Sequence, residues 1–280
     1  MESADQRAQS KDPLLTRVVY EQLIQARDGG RSSIECSLDL GRSHSRVEIA
    51  AAHWRALGNS YPYPARCKDR TIYYWSGSAF EPAARYTGSL VKLVPTQWGP
   101  PTFEIDGIKM LPTARISPYL DAQHKVDLVK PRGKRILDTC GGLGYFAAWC
   151  LERGAREIFS YERNADVIWL RGLNPWSPAA GGPLTLACVD VLAATQTQSA
   201  ASFDAILHDP PRFGIAGELY SSSFYARLAR LLKPRGTLFH YTGTPNKLTS
   251  GRDVPREVMS RLQQAGFAAR IEGDGVLATK

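Results

Sequence analysis

The chain has 280 residues, 43% hydrophobic and 22% charged, which suits a soluble globular protein with one large core or two smaller ones. Lys and Arg outnumber Asp and Glu by 35 to 27, a net charge of +8, but the excess is spread along the chain; it is compatible with an anionic partner such as nucleic acid and equally with a bland basic surface. Five cysteines (Cys36, Cys67, Cys140, Cys150, Cys188), odd in number and without C-x-x-C spacing, argue against a zinc site and a disulfide framework, and no apolar run suits a signal core or a bilayer span, so the expectation is a soluble, cytoplasmic, metal-free protein.

Residues 1–12 are polar and are expected to be a disordered lead. Leu14 to Ala26 places Leu14, Val18 and Leu23 on one helical face, closed by Gly29-Gly30. Alternating runs at Ser33–Leu38 and Arg46–Ile49 flank Gly41 and predict a hairpin; Arg70–Trp75, Tyr86–Val94 and Thr102–Ile105 are further strands, and Asp106-Gly107 is the sharpest short turn signal in the chain. Residues 13–112 therefore read as a small β-rich domain with a leading helix, and 113–280 as a second domain. In the helix from Pro118 to Lys130, Leu120, Val126 and Leu128 can pack while Asp121, Lys125 and Asp127 stay wet.

Beyond Pro131-Arg-Gly the pattern alternates strand and helix. Strands are predicted at Arg135–Leu137, Ile158–Tyr161, Leu184–Cys188, Phe203–Leu207 and Thr237–Tyr241, helices at Tyr145–Arg153, after Glu162, at Ser222–Leu232 and at Pro255–Ala265, and a terminal hairpin at Phe267–Ile271 and Val276–Thr279. This order implies an α/β fold with a mostly parallel sheet and an antiparallel edge.

The stretch from Lys134 to Asn164 organises this half. Gly141, Gly142 and Gly144 allow a tight backbone turn beside a ligand, and Glu162 stands at the end of the next strand, where an acid can bond a ribose hydroxyl. Gly142-Leu-Gly144-Tyr-Phe-Ala147 also satisfies a loose dinucleotide pattern, but Asp138 would face the pyrophosphate and repel it, whereas the same carboxylate suits a ligand carrying an ammonium group, such as the amino-acid end of S-adenosyl-L-methionine.

These residues resemble a class I S-adenosylmethionine-dependent methyltransferase over about residues 115–280, implying a Rossmann-like sheet. The resemblance assigns the turn from Asp138 through Cys140, Gly141, Gly142 and Gly144 to the methionine part of the cofactor, Glu162 to the ribose, and Asp190 with Val191 to the adenine. It assigns Asp209 to the acceptor, with Pro210, Pro211, Arg212, Phe213, Tyr220 and Tyr241 as substrate-side candidates. More narrowly, Asn174-Pro-Trp-Ser, His208-Asp-Pro-Pro-Arg-Phe, Ala216-Gly-Glu-Leu-Tyr-Ser and Gly251-Arg-Asp-Val are similar to a largely uncharacterised, mostly archaeal group of predicted methyltransferases. The run from Asp209 through Ala216-Gly-Glu-Leu-Tyr220 also looks like the gating loop of spermidine-synthase-type aminopropyltransferases, although Leu143 stands where those carry an acid. The acceptor stays open among an RNA base, a protein side chain and a small amine, and nothing in the sequence fixes an oligomeric state.

Asp-Pro-Pro-Arg resembles some uridine carbon methyltransferases too, but His240-Tyr-Thr-Gly-Thr supplies no nucleophilic cysteine. His208 and His240 are either bases or buried, hydrogen-bonded imidazoles. Trp176 either stacks on a ligand or packs. Glu218, Arg252 and Asp253 lie on loops expected to roof the site, and Cys140 reads as a small space-filler.

Overall fold

The computed structural model describes residues 12–243 and 253–280, so the expected disordered lead, apart from Asp12, and the loop position Arg252 lie outside the described residues. The chain forms two compact units. One runs to Asp121 and regains Asp166–Ala179; the other comprises Ala122–Ala165 and Ala180–Lys280.

In the first unit, strand β1 (Leu14–Leu15) leads into helix α1 (Arg17–Asp28). Thr16 caps the helix by accepting a hydrogen bond from the Val19 N–H at 3.3 Å, satisfying one of the four donors a helix start leaves over. Because Leu14 is in a strand and the helix starts only at Arg17, the buried face is Val19, Leu23 and Ala26, and Val18 is 64% exposed, against the expected phase. Strands β2 (Ser33–Cys36), β3 (Ser45–Ile49), β4 (His53–Ala56) and β5 (Asn59–Pro62) form an antiparallel sheet, with the expected hairpin between β2 and β3.

The hairpin from β4 to β5 was not expected. Its turn places Leu57 at φ 53° and Gly58 at φ 80°, and Leu is no turn signal. The rings of Trp54 and Tyr61, on its two strands and buried, lie 4.7 Å apart and supply the packing that outweighs the strained leucine.

Strand β6 (Tyr73–Trp75) lies between β1 and β7 (Phe80–Pro82). The predicted strand at Tyr86–Val94 is two strands, β8 (Ala84–Tyr86) and β9 (Leu90–Val94), folded back so that Tyr86 pairs with Leu90. Strands β10 (Thr102–Ile105) and β11 (Ile108–Lys109) are joined by Asp106 and Gly107, both at positive φ (48° and 77°), as their sequence demands.

Helix α2 (Pro118–Val129) is followed by β12 (Arg135–Asp138), α3 (Tyr145–Glu152), β13 (Glu157–Glu162), α4 (Ala165–Leu173), β14 (Leu184–Cys188), α5 (Val191–Thr197) and β15 (Phe203–His208). Then come α6 (Ser222–Leu231), β16 (Leu232–Tyr241), α7 (Val254–Gln264), β17 (Ala268–Glu272) and β18 (Gly275–Thr279). Helix α5 was missed by the sequence reading, and β16 starts earlier than expected, its register with β15 shifting between Phe203 and Ala205.

The second unit's sheet has the order β14-β13-β12-β15-β16-β18-β17, and β18 runs antiparallel to both neighbours. This is the Rossmann-like class I methyltransferase sheet with a C-terminal antiparallel hairpin. Successive strands step outward from β12 in one direction and then, from β15, in the other, which opens a crevice at the carboxyl ends of β12 and β15. Phe203, Ile206, Phe224, Tyr225, Leu228, Leu238 and Leu262 are among the buried residues beneath it.

Candidate active site

The turn after β12 is held by backbone and side chain together. The Gly141 N–H donates to the Tyr161 carbonyl at 2.7 Å and the Gly144 N–H to the Gly141 carbonyl at 2.7 Å. Gly142 (φ 49°) and Gly144 (φ 81°) occupy the left-handed region, where glycine alone avoids a steric cost. Glu162, at the end of β13, accepts from the Gly142 N–H at 3.0 Å through Oε2 and from the Asn164 N–H at 2.9 Å through Oε1. The acid and the glycine turn that the sequence paired are thus joined directly.

Asp138 is fully buried, and its Oδ2 accepts from the Ser160 hydroxyl at 2.8 Å. It therefore lies buried at the start of the turn, held there by Ser160. Cys140 is partly buried and packs against the second unit's core. Its thiol is pushed well above the usual range, first by burial and then by the negative charges of Glu162, Asp138 and Asp209, so three of the four predicted acids converge around it. The fourth, Asp190, is exposed and caps α5 by accepting from the Leu192 N–H at 2.7 Å, with Val191 buried beside it.

On the other side of β12, Asp209 follows β15. Its Oδ2 lies 3.7 Å from Lys125 Nζ on α2, and that ammonium sits 3.4 Å from the centroid of the Tyr241 ring. Lys125 is 5% exposed and Leu120 44% exposed, the reverse of the expected pattern on this helix. The signal was present: Ala122, Lys125, Val126 and Val129 are all buried at helical spacing, and Lys125 falls on that stripe. Pro210 is buried, Pro211 and Phe213 are partly buried, and Arg212 is exposed.

Tyr220 is 1% exposed, its hydroxyl donating to the Pro211 carbonyl at 3.1 Å, so it pins the loop from inside rather than lining an open face. Glu218 is exposed and 3.8 Å from Arg163; Asp253 caps α7.

The two histidines are internal. His208 Nε2–H donates to the Leu219 carbonyl at 3.1 Å, which leaves Nδ1 to accept from Thr139 Oγ1 at 2.7 Å. Burial holds its pKa down at about 4, so it is neutral and structural at neutral pH. His240 Nδ1–H donates to the Tyr241 carbonyl and Nε2 accepts from the Tyr225 hydroxyl, both at 2.9 Å; burial and the adjacent His208 keep it well below the imidazole range. Trp176 packs within the first unit, its indole N–H donating to the Leu40 carbonyl at 3.0 Å. Among the described residues no group of three or more His, Cys, Asp or Glu could hold a metal ion, and no helix is long and apolar enough to cross a membrane.

No protein-family model matches the chain. It is 41% identical over 214 residues to the uncharacterized protein MJ1233 of Methanocaldococcus jannaschii, covering 75% of this chain and 73% of that one. The chain belongs to the family of that archaeal protein. Solved structures similar to it include a spermidine synthase in complex with the transition-state analogue AdoDATO (TM-score 0.58, 15% identity, covering 70% of this chain and 72% of that chain). Another is MnmC2 from Aquifex aeolicus (TM-score 0.52, 19% identity, covering 70% of this chain and 72% of that chain). At these identities the likeness concerns the fold.

Ser160, Thr139 and Lys125 were not singled out from the sequence. Ser160 had a legible trace, a small polar residue between Phe159 and Tyr161, but its meaning depends on the parallel register that sets it opposite Asp138. Thr139 gains its role only when β15 brings His208 alongside.

Proposed function

We propose that this chain is an S-adenosylmethionine-dependent methyltransferase whose acceptor reaches the cofactor beside Asp209. The observation that carries the reading is the Glu162 carboxylate holding the Gly142 N–H at 3.0 Å above the buried Asp138. Glu162 ends β13 beside the turn, and a carboxylate there can accept from the hydroxyls of a ribose. Backbone at Gly142 and Gly144 presents no side chain to a ligand lying along the turn, and the charge of Asp138 beneath it favours an ammonium above. The residues present thus fit the cofactor: the turn and Asp138 for its amino-acid end, Glu162 for its ribose, and Asp190 with Val191 for its base. When bound, it supplies an electrophilic methyl group. The protein's own part is to orient the acceptor through Asp209 and to exclude water.

A second reading, aminopropyl transfer from the decarboxylated cofactor, draws support from the Asp209–Tyr220 loop and from the likeness to spermidine synthase. Two experiments test the proposal. Calorimetry should show S-adenosylmethionine binding more tightly than its decarboxylated form and than NAD. Incubation of the protein and cell extract with cofactor labelled separately on its methyl and aminopropyl carbons should give product carrying the methyl label alone. Asp209→Ala should abolish that product with cofactor affinity nearly unchanged. Aminopropyl label in the product would overturn the first reading in favour of the second.

A further inference from the structure

Lys125 carries information about the acceptor, given the reading above that Asp209 stands at the acceptor's entrance. An ammonium is buried only where compensating charge or polarity meets it. Here Nζ lies 3.7 Å from Asp209 Oδ2, 3.4 Å from the Tyr241 ring centroid and 5.9 Å from the Phe146 ring centroid. A carboxylate beside an aromatic face is the pair of groups that would recognise a cationic ligand. In this protein that pair already faces an internal cation. The other carboxylate of the loop, Glu218, is likewise matched, 3.8 Å from Arg163.

We propose that Lys125 is a specificity-determining residue that neutralises Asp209, so that the site takes an acceptor with an uncharged nucleophilic nitrogen or oxygen and rejects protonated polyamines. A carboxylate can accept a hydrogen bond from a neutral N–H or O–H while it faces a cation, so an uncharged acceptor needs no displacement of Lys125. A protonated diamine must compete for the same carboxylate and ring face with an ammonium that is already buried against them.

The test uses 1,4-diaminobutane and spermidine as probes, titrated by calorimetry into the full-length protein with and without S-adenosylhomocysteine. Wild type should bind neither amine at submillimolar concentration. Lys125→Met, which uncovers the carboxylate and the ring, should bind them at least tenfold more tightly, Lys125→Arg should behave as wild type, and Lys125→Met/Asp209→Asn should lose the gain. Tight amine binding by wild type overturns the inference by itself, whether or not the variants fold. A folded Lys125→Met protein, confirmed by circular dichroism, with unchanged amine affinity does the same. Failure of S-adenosylhomocysteine to bind counts against the cofactor reading alone, and the amine titrations without it still decide this one.

Discussion

Ser160→Ala tests how the site is held together. Ser160 and Asp138 are both fully buried, and the serine hydroxyl donates to Asp138 Oδ2 at 2.8 Å. Water does not reach either group to replace the bond, so its loss is felt at the full value of a hydrogen bond to a charged group, about 1.5–3 kcal/mol. The removed oxygen leaves only a small void, so the expected destabilisation is about 2 kcal/mol, and the helix and strand content should be unchanged. Equilibrium unfolding in urea would read it as a lower midpoint at constant slope, since the surface exposed on unfolding is the same. Affinity for S-adenosylmethionine should fall as well, because the charge beneath the glycine turn is less firmly held. A stability loss below about 0.5 kcal/mol, comparable to that of an ordinary surface substitution, would refute the reasoning that Ser160 secures Asp138.

Two further outcomes follow from the buried titratable groups. Burial holds the folded-state pKa of His208 at about 4 against 6.5 for the unreacted side chain, so the unfolded chain takes up the proton first as pH falls. The stability is then fully present above pH 6.5 and declines towards pH 4, by about 3 kcal/mol from this residue, with His240 acting in the same direction; a pH series of urea midpoints should show this slope, and His208→Gln should flatten it. Among the cysteines, Cys188 is exposed, whereas burial pushes the Cys36 and Cys67 thiols up to about 11 and those of Cys140 and Cys150 well above the usual range. A chromogenic disulfide reagent at pH 8 should therefore titrate one fast thiol per native chain, lost in Cys188→Ser; several fast thiols would contradict the burial described.

By itself the sequence determined whatever is decided within a few residues. The Asp106-Gly107 turn, the positive φ at Gly142 and Gly144 and the alternation of strands and helices from Arg135 onward follow from steric limits and local hydrogen bonding, so they could be read directly. The pairing of Glu162 with the glycine turn was legible for the same reason, since one short helix between two parallel strands leaves little choice of register. Tertiary structure alone decided the rest. Leu57 accepts positive φ because Trp54 and Tyr61 pack across the hairpin, and Asp166–Ala179 joins the first unit through contacts such as that of Trp176 with Leu40. Lys125 looks solvated in a helical pattern, yet it is buried because Asp209, 84 positions along the chain, and the Tyr241 ring offset the cost of removing its ammonium from water. The spacing of Ala122, Val126 and Val129 puts Lys125 on the buried stripe, but the compensation that lets an ammonium stay there comes from elements distant in sequence.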